Sequence, residues 1–222
     1  MRRVARRVEP GMPGSFVVYQ DTWWVNRRLP GVRGKNRSFY ARPPVRVAVA
    51  SVTEAVVAVE RADGPIDIRY WPFTGRGNRL IQTLDDPGEV VAIRGWGGEF
   101  VVLDEAGMLN WYRRRIVTPP APPYELAARF KLSEGASFGD DGCYRERCAL
   151  AEVRLADLDR AHLVYIRRNA IHMLNLRTGK DIVVRRPSRS PVHAQLEPAG
   201  MIYSHGDRIS LVGRKKLDAL FR

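Results

Sequence analysis

Apolar positions along this chain fall into short runs, not into long helical stripes. Five runs share one character: Phe16-Val-Val-Tyr-Gln, Val56-Val-Ala-Val-Glu, Phe100-Val-Val-Leu-Asp, His162-Leu-Val-Tyr-Ile and Gly200-Met-Ile-Tyr-Ser. Their starts at 16, 56, 100, 162 and 200 are spaced by 40, 44, 62 and 38 residues. A polar gap and a second β-like segment follow each run: Thr22-Trp-Trp-Val-Asn, Ile66-Asp-Ile-Arg-Tyr-Trp, Met108-Leu-Asn-Trp-Tyr, Ala170-Ile-His-Met-Leu and Arg208-Ile-Ser-Leu-Val. The gaps contain Asp63-Gly64-Pro65, Glu105-Ala106-Gly107, Arg168-Asn169 and His205-Gly206-Asp207. Asn, Asp and Gly tolerate the left-handed backbone of tight turns, so each repeat predicts a β-hairpin.

Further segments complete several units. Arg79-Leu-Ile-Gln-Thr-Leu follows the second hairpin, and Val90-Val-Ala-Ile-Arg leads into the third. Asp181-Ile-Val-Val-Arg and Val192-His-Ala-Gln-Leu do the same around the fourth, and Val45-Arg-Val-Ala-Val alternates as a half-buried strand should. Four strands in roughly forty residues is the content of a propeller blade. The expectation is an all-β chain of about five four-stranded antiparallel repeats, forming a partial or small β-propeller. Its parts are a basic segment at 1–14, a repeat domain at 15–213 with an insertion at about 117–150, and a tail at 214–222. Pro119-Pro-Ala-Pro-Pro123 opens the insertion as an extended spacer. Helical signal is confined to Tyr124-Glu-Leu-Ala-Ala-Arg-Phe and Lys215-Lys-Leu-Asp-Ala-Leu-Phe, each enough for a turn or two.

The stretch Leu158-Asp-Arg-Ala-His-Leu-Val-Tyr-Ile-Arg-Arg-Asn-Ala-Ile-His-Met-Leu-Asn-Leu-Arg-Thr-Gly-Lys resembles bacterial β-propeller repeats, such as those of the Tol-system periplasmic propeller. The resemblance is carried by an apolar strand, a turn, a second strand and a Thr-Gly-Lys turn. It implies an exported, propeller-shaped binding protein. Neither a Trp-Asp dipeptide nor a Gly-His pair marks the units, so the WD40 signature is missing. Closure of the ring would call on residues 1–14 and 214–222, or on another chain.

With 222 residues and 45% hydrophobic content, the chain can bury a core without disulfide or metal. No apolar run is long enough for a membrane helix. Met1-Arg-Arg-Val-Ala-Arg-Arg has the charge of an export signal, but Val8-Glu-Pro-Gly-Met-Pro-Gly stands where the apolar core belongs. As written it is not a signal peptide, and export is expected only of a longer form. The net charge of +13 points toward polyanions, yet only five of the 37 basic residues are lysine. The arginines are dispersed apart from Arg113–Arg115 and Arg185–Arg186, which favours a solvated surface over a nucleic-acid stripe.

Cys143-Tyr-Arg-Glu-Arg-Cys148 is the most specific local feature. It reads as a structural disulfide, with two free thiols as the alternative; a metal site lacks a second pair of ligands, and no metal or cofactor is expected. A two-residue Arg168-Asn169 turn sets Tyr165, not His162, opposite His172, so these histidines do not make a metal pair. His193 and His205 read as surface or satisfied residues. Nucleophile elbows, phosphate loops and zinc-protease motifs do not occur, and no catalytic residue is assigned. Turn carboxylates at Asp63, Asp85, Asp86, Asp104, Glu105 and Asp207 would serve either as turn formers or as a binding or hydrolytic cluster at a channel. Candidate binding residues are Asp63, Asp86, Glu105, Asn169 and Asp207. Trp23, Trp71 and Trp111 fall at one repeated packing position, leaving Trp24 and Trp96 as the more exposed pair. The leading expectation is a non-enzymatic interaction module for a protein or cell-envelope component, with self-association if one chain does not close the ring. A carboxylate hydrolase and an arginine-driven nucleic-acid binder are the alternatives.

Overall fold

The computed structural model describes residues 7–10, 15–20, 23–28, 37–40, 45–50, 54–61, 65–72, 79–84, 90–116, 118, 121, 123–134, 153–187, 192–205 and 207–222; before residue 54, Val49 alone has a described side chain. These residues form five antiparallel sheets in chain order. Blade 1 contains β1 (Arg7–Pro10), β2 (Ser15–Gln20), β3 (Trp23–Arg28) and β4 (Arg37–Tyr40). Blade 2 contains β5 (Val45–Ala50), β6 (Glu54–Glu60), β7 (Ile66–Pro72) and β8 (Arg79–Leu84). Blade 3 contains β9 (Val90–Trp96), β10 (Glu99–Asp104), β11 (Met108–Arg114) and β12 (Tyr124–Lys131). Blade 4 contains β13 (Val153–Asp159), β14 (His162–Arg167), β15 (Ala170–Asn175) and β16 (Asp181–Arg185). Blade 5 has three strands, β17 (Val192–Glu197), β18 (Gly200–His205) and β19 (Arg208–Gly213), followed by α1 (Arg214–Ala219).

Every strand pairs with its sequence neighbour inside a blade, so the sheet order is simple up-and-down. The expected all-β repeat architecture is therefore present. The five repeated runs become the second strand of each blade, and their followers become the third. First strands pack edge to edge in the order β5, β9, β13, β17, which makes them the inner strands of a curved array. Blade 1 meets blade 2 through β2 and β3 against β5.

Turn chemistry sets the hairpins. Arg168 (φ 50°) and Asn169 (φ 59°) are both left-handed, as a two-residue type I′ turn requires. The resulting register places Tyr165 opposite His172. Gly107 closes the β10–β11 turn at φ +79°, and a Cβ there would lie 2.3 Å from the Ser133 carbonyl oxygen. Only glycine fits that combination of backbone angle and close approach.

Tyr124–Lys131 departs from the sequence expectation. The run reads as a helical turn, but it is a strand paired along the whole of β11. Ala127, Ala128 and Arg129 are good helix formers, but intrinsic propensity is a weak determinant that tertiary context overrides, and here the open hydrogen-bonding edge of β11 outweighs it. The 62-residue interval between the third and fourth runs thus holds the fourth strand of blade 3. The second helical signal is realised as α1, a six-residue helix anchored by buried Leu217.

Apolar side chains alternate along each strand and point into the two seams beside it. Phe100 and Val102 face blade 2, with Val56, Ile68, Tyr70, Tyr112 and Tyr124 in the same core. Val101, Leu103, Leu109 and Trp111 face blade 4 and meet Val153, Leu155, Leu163 and Tyr165. Val164, Ile171 and Met173 face blade 5 and meet Val192, Leu196, Met201 and Leu217. Period-two alternation gives each middle blade two apolar faces, the pattern of a sheet buried between others.

Candidate functional site

Two ends of the array have different character. Turns from second to third strands lie at one end, here the hairpin end. Turns from first to second strands and from third to fourth lie at the opposite end.

At the hairpin end, the structure places Glu105 at the exposed tip of the β10–β11 turn and Asp207 at the exposed start of the β18–β19 turn. Asn169 occupies the equivalent turn of blade 4 but is only 8% exposed, with its left-handed backbone forming the turn itself. These three therefore share one end, one blade apart, and no hydrogen bond joins them among the described residues. Asp63 and Asp86, as well as Cys143 and Cys148, lie outside the described residues. Asp104 is buried, and its carboxylate accepts the Met108 backbone N–H at 2.9 Å. Burial pushes its pKa up, and the backbone N–H groups of Met108 and Ala106 offset only part of that. This is a turn cap.

The opposite end carries polar clusters that sequence reading missed. Glu54, at the start of β6, is 7% exposed and sits on the seam between blades 2 and 3. It accepts the Tyr124 hydroxyl at 2.7 Å, the Tyr70 hydroxyl at 3.1 Å and an ion pair from Arg114. Burial and the Glu54 charge both push the Tyr124 phenol up, so it stays a donor. Phe100 packs beneath, stacked on Tyr112 at 4.6 Å and edge-on to Tyr124 at 5.0 Å. Tyr112 in turn donates to Gln82 across the seam at 2.6 Å.

Related pins close the next seams. Arg177 of blade 4 comes within 4.0 Å of Glu99 in blade 3, and Arg160 lies over the Trp96 ring at 5.7 Å. Arg214, after β19, donates to Asp159 of blade 4 at 2.7 Å and to the Glu197 carbonyl at 2.8 Å. In the three ion pairs Arg114–Glu54, Arg177–Glu99 and Arg214–Asp159, a basic group near the end of a third strand reaches back to a carboxylate of the preceding blade. The separations in sequence are 60 and 55 residues for the two closest pairs, which no local pattern displays.

The inner strands carry buried polar groups too. Arg94 donates to the Ala156 carbonyl and Arg154 to the Val192 carbonyl, each reaching the next blade's inner strand or its edge. Asp157 accepts the Leu196 N–H at 2.7 Å and the Leu158 N–H at 2.8 Å. Burial raises its pKa despite those bonds.

His172 is buried within blade 4. Its ring stacks on Tyr165 at 4.8 Å, and its Nδ1 lies 3.4 Å from Asp181 Oδ2, which also accepts the Tyr165 hydroxyl at 2.6 Å. Burial pushes the Asp181 carboxyl up, but the bonds from His172 and Tyr165 overcome it and hold the pKa down. The trio ties together β14, β15 and β16 within one sheet. Among the described residues, no group of three or more His, Cys, Asp and Glu side chains is placed to hold a metal ion.

His162 is set differently, against Phe221 at 5.1 Å. Burial, reinforced by Arg214, lowers its pKa from the usual 6.5, while Asp218 and Asp159 act the other way. The folded chain thus resists a proton that the unfolded chain accepts, so stability is full above about pH 6.5 and falls as the pH drops below it. His162→Gln is expected to flatten that fall. Thermal midpoints at pH 7.5 and 5.5 check this, and equal losses in both proteins would refute it.

Trp111 is core, 3% exposed, and Trp96 is half-buried beneath Arg160, so neither offers an open stacking face. Described arginines are found at both ends, Arg61, Arg167, Arg168 and Arg208 near the hairpin end and Arg79, Arg113, Arg114, Arg160 and Arg177 near the other, and within strands, as at Arg69, Arg94, Arg129 and Arg154. No helix is long and apolar enough to cross a membrane among the described residues.

The sheets and seams together define a β-propeller-like array. In fold the chain is similar to the WD40 β-propeller domain of Doa1, with 10% identity and a TM-score of 0.50 over 91% of this chain and 62% of that one. It is also similar to Hsv2 of Kluyveromyces marxianus, with 9% identity and a TM-score of 0.56 over 95% of this chain and 62% of that one. The chain thus spans about three fifths of the length of these two chains. At such identities the likeness is one of fold. No protein-family model and no curated protein matches the sequence.

Proposed function

We propose that the chain is a non-enzymatic interaction module, with the hairpin end as its binding surface. One observation carries this reading. The carboxylates of Glu54, Asp104, Asp157, Asp159 and Asp181 are each bonded into a turn, a sheet or a seam, whereas Glu105 and Asp207 project from turn tips. A hydrolytic pair needs two carboxyl groups facing one substrate bond, and the turns at these positions belong to different blades. Rigid sheets presenting varied turn residues suit recognition of a partner surface.

The resemblance to exported bacterial propellers makes a protein or cell-envelope component the first partner class to test. The immobilised chain is expected to retain a defined set of proteins from a bacterial envelope extract. A Glu105→Ala/Asp207→Ala variant, altered only at exposed turns, is expected to lose that set. Turnover of chromogenic glycosides or peptides that disappears in the same variant would overturn the reading in favour of hydrolysis. Salt-sensitive binding of mixed-sequence nucleic acid in its place would assign the surface to the arginines.

A further inference from the structure

Each blade presents the same cross-strand pairs to the blade that follows it. In blade 2 these are Val56 with Tyr70 and Ala58 with Ile68. In blade 3 they are Val101 with Trp111 and Leu103 with Leu109, and in blade 4 Val164 with Met173 and Ile166 with Ile171. All twelve side chains are at most 9% exposed, because the next blade covers them. Blade 5 repeats the arrangement in the same register: Ile202 pairs with Leu211, and Ser204 with Ile209. Here the exposures are 41% for Ile202, 60% for Leu211 and 79% for Ile209. Blade 5 thus keeps the apolar docking positions of an inner blade, and among the described residues nothing covers them.

Its other face is occupied. Met201, Val212 and Tyr203 pack toward blade 4, and Leu217 of α1 closes that same core. The free face continues across β17 through Gln195 opposite Ile202 and His193 opposite Ser204. Among the described residues the outer edge of β19 is also unpaired, since the chain turns into α1 where blades 1 to 4 place a fourth strand.

We propose that this face of blade 5 is a two-fold interface with a second copy of the chain, Ile202, Ile209 and Leu211 of each copy packing against those of the other. Charge selects the second copy. The chain carries 37 basic residues and a net charge of +13, so most of its surface repels another copy. Arg208 is the one arginine in its three strands, which hold no lysine, and alternation puts it on the face opposite Ile209 and Leu211, while the Glu197 carboxylate at the end of the free face is held by Gln195 at 2.9 Å. It is a place where two copies can approach without opposing like charges. An acidic partner would find no cation there to pair with. Face-to-face packing of sheets is already used at the seams between blades 2 and 3, 3 and 4, and 4 and 5.

Three strands spaced about 4.8 Å apart and six residues long give a face of roughly 14 by 20 Å. That is well below the roughly 800 Å² per partner of a standard interface, so the dimer is weak, with a Kd expected at roughly tens to hundreds of micromolar. The test is sedimentation velocity of the full chain across a hundredfold concentration series in buffer salty enough to screen surface charge. The wild type is expected to shift from monomer toward dimer. Leu211→Glu and Ile209→Glu, which change exposed positions and should leave the circular dichroism spectrum intact, are expected to stay monomeric. A wild type that remains monomeric throughout would overturn the proposal. So would variants that dimerise as strongly as the wild type. Slow amide exchange along β19 in a monomeric wild type would assign the cover to the chain's own residues.

Discussion

Phe100→Ala is expected to lower the free energy of unfolding by about 4 kcal/mol, the largest loss from any single truncation considered for this chain. Phe100 is fully buried on the seam between blades 2 and 3, with Tyr112 stacked on one face and Tyr124 edge-on. Truncation removes both aromatic contacts and leaves a cavity that the two tyrosines cannot close. Tyr112 is held by its bond to Gln82, and Tyr124 by its bond to Glu54. The cost should therefore fall near the upper half of the range for buried aromatics. Urea unfolding followed by tryptophan fluorescence checks this. A loss under about 1 kcal/mol would mean that the seam relaxes, as a loosely packed interface does.

Glu54→Ala should cost about 3 kcal/mol, because one carboxylate serves three donors from two blades. Without it the Tyr70 and Tyr124 hydroxyls lose their acceptor in a buried site. Arg114 suffers less, since its side chain is 47% exposed and water can take over. Glu54→Gln keeps one carbonyl acceptor and should cost about half as much. The diagnostic comparison is a double-mutant cycle with Tyr124→Phe. Once the Tyr124 hydroxyl is gone, Glu54→Ala should cost about 1 kcal/mol less than it does alone. Strict additivity would show that the two groups are not coupled.

Local structure was largely legible in the sequence. The runs beginning at Phe16, Val56, Phe100, His162 and Gly200 fall in second strands, and their followers in third strands. Alternation has a period of two wherever a strand packs on both faces, and Asn, Asp and Gly mark several of the left-handed turns, although Arg160 and Ala161 adopt those angles without any such residue. The opposition of Tyr165 and His172 follows from the Arg168-Asn169 turn alone, since turn type sets register. That was also enough to separate His162 from His172. What it did not reveal was the role of His172 between Tyr165 and Asp181, because Asp181 arrives on a further strand.

The turn carboxylates were read from composition, and turns recruit Asp and Glu for backbone reasons as well as for binding. Asp104 shows the first use and Glu105, its neighbour, the exposed alternative. One residue of register separates them, and burial distinguishes what sequence spacing does not. The Glu54 cluster left no trace at all in the pattern. Glu54, Arg114 and Tyr124 are separated by 60 and 70 residues from carboxylate to partner, and each looks like an ordinary strand-end residue.

By itself, then, the sequence determined the second and third strands, their hairpins and the repeat, because these depend on backbone angles and on neighbours within a few residues. Tertiary structure decided what each apolar face meets. Val164 with Met173 and Ile202 with Leu211 are the same pattern in the same register, yet one pair is covered and the other is open. It also decided that Tyr124–Lys131 is a strand, since the free edge of β11 was there to pair with it. Burial and edge pairing are properties of what lies across a seam, and a strand's own residues encode the capacity for contact without naming the partner.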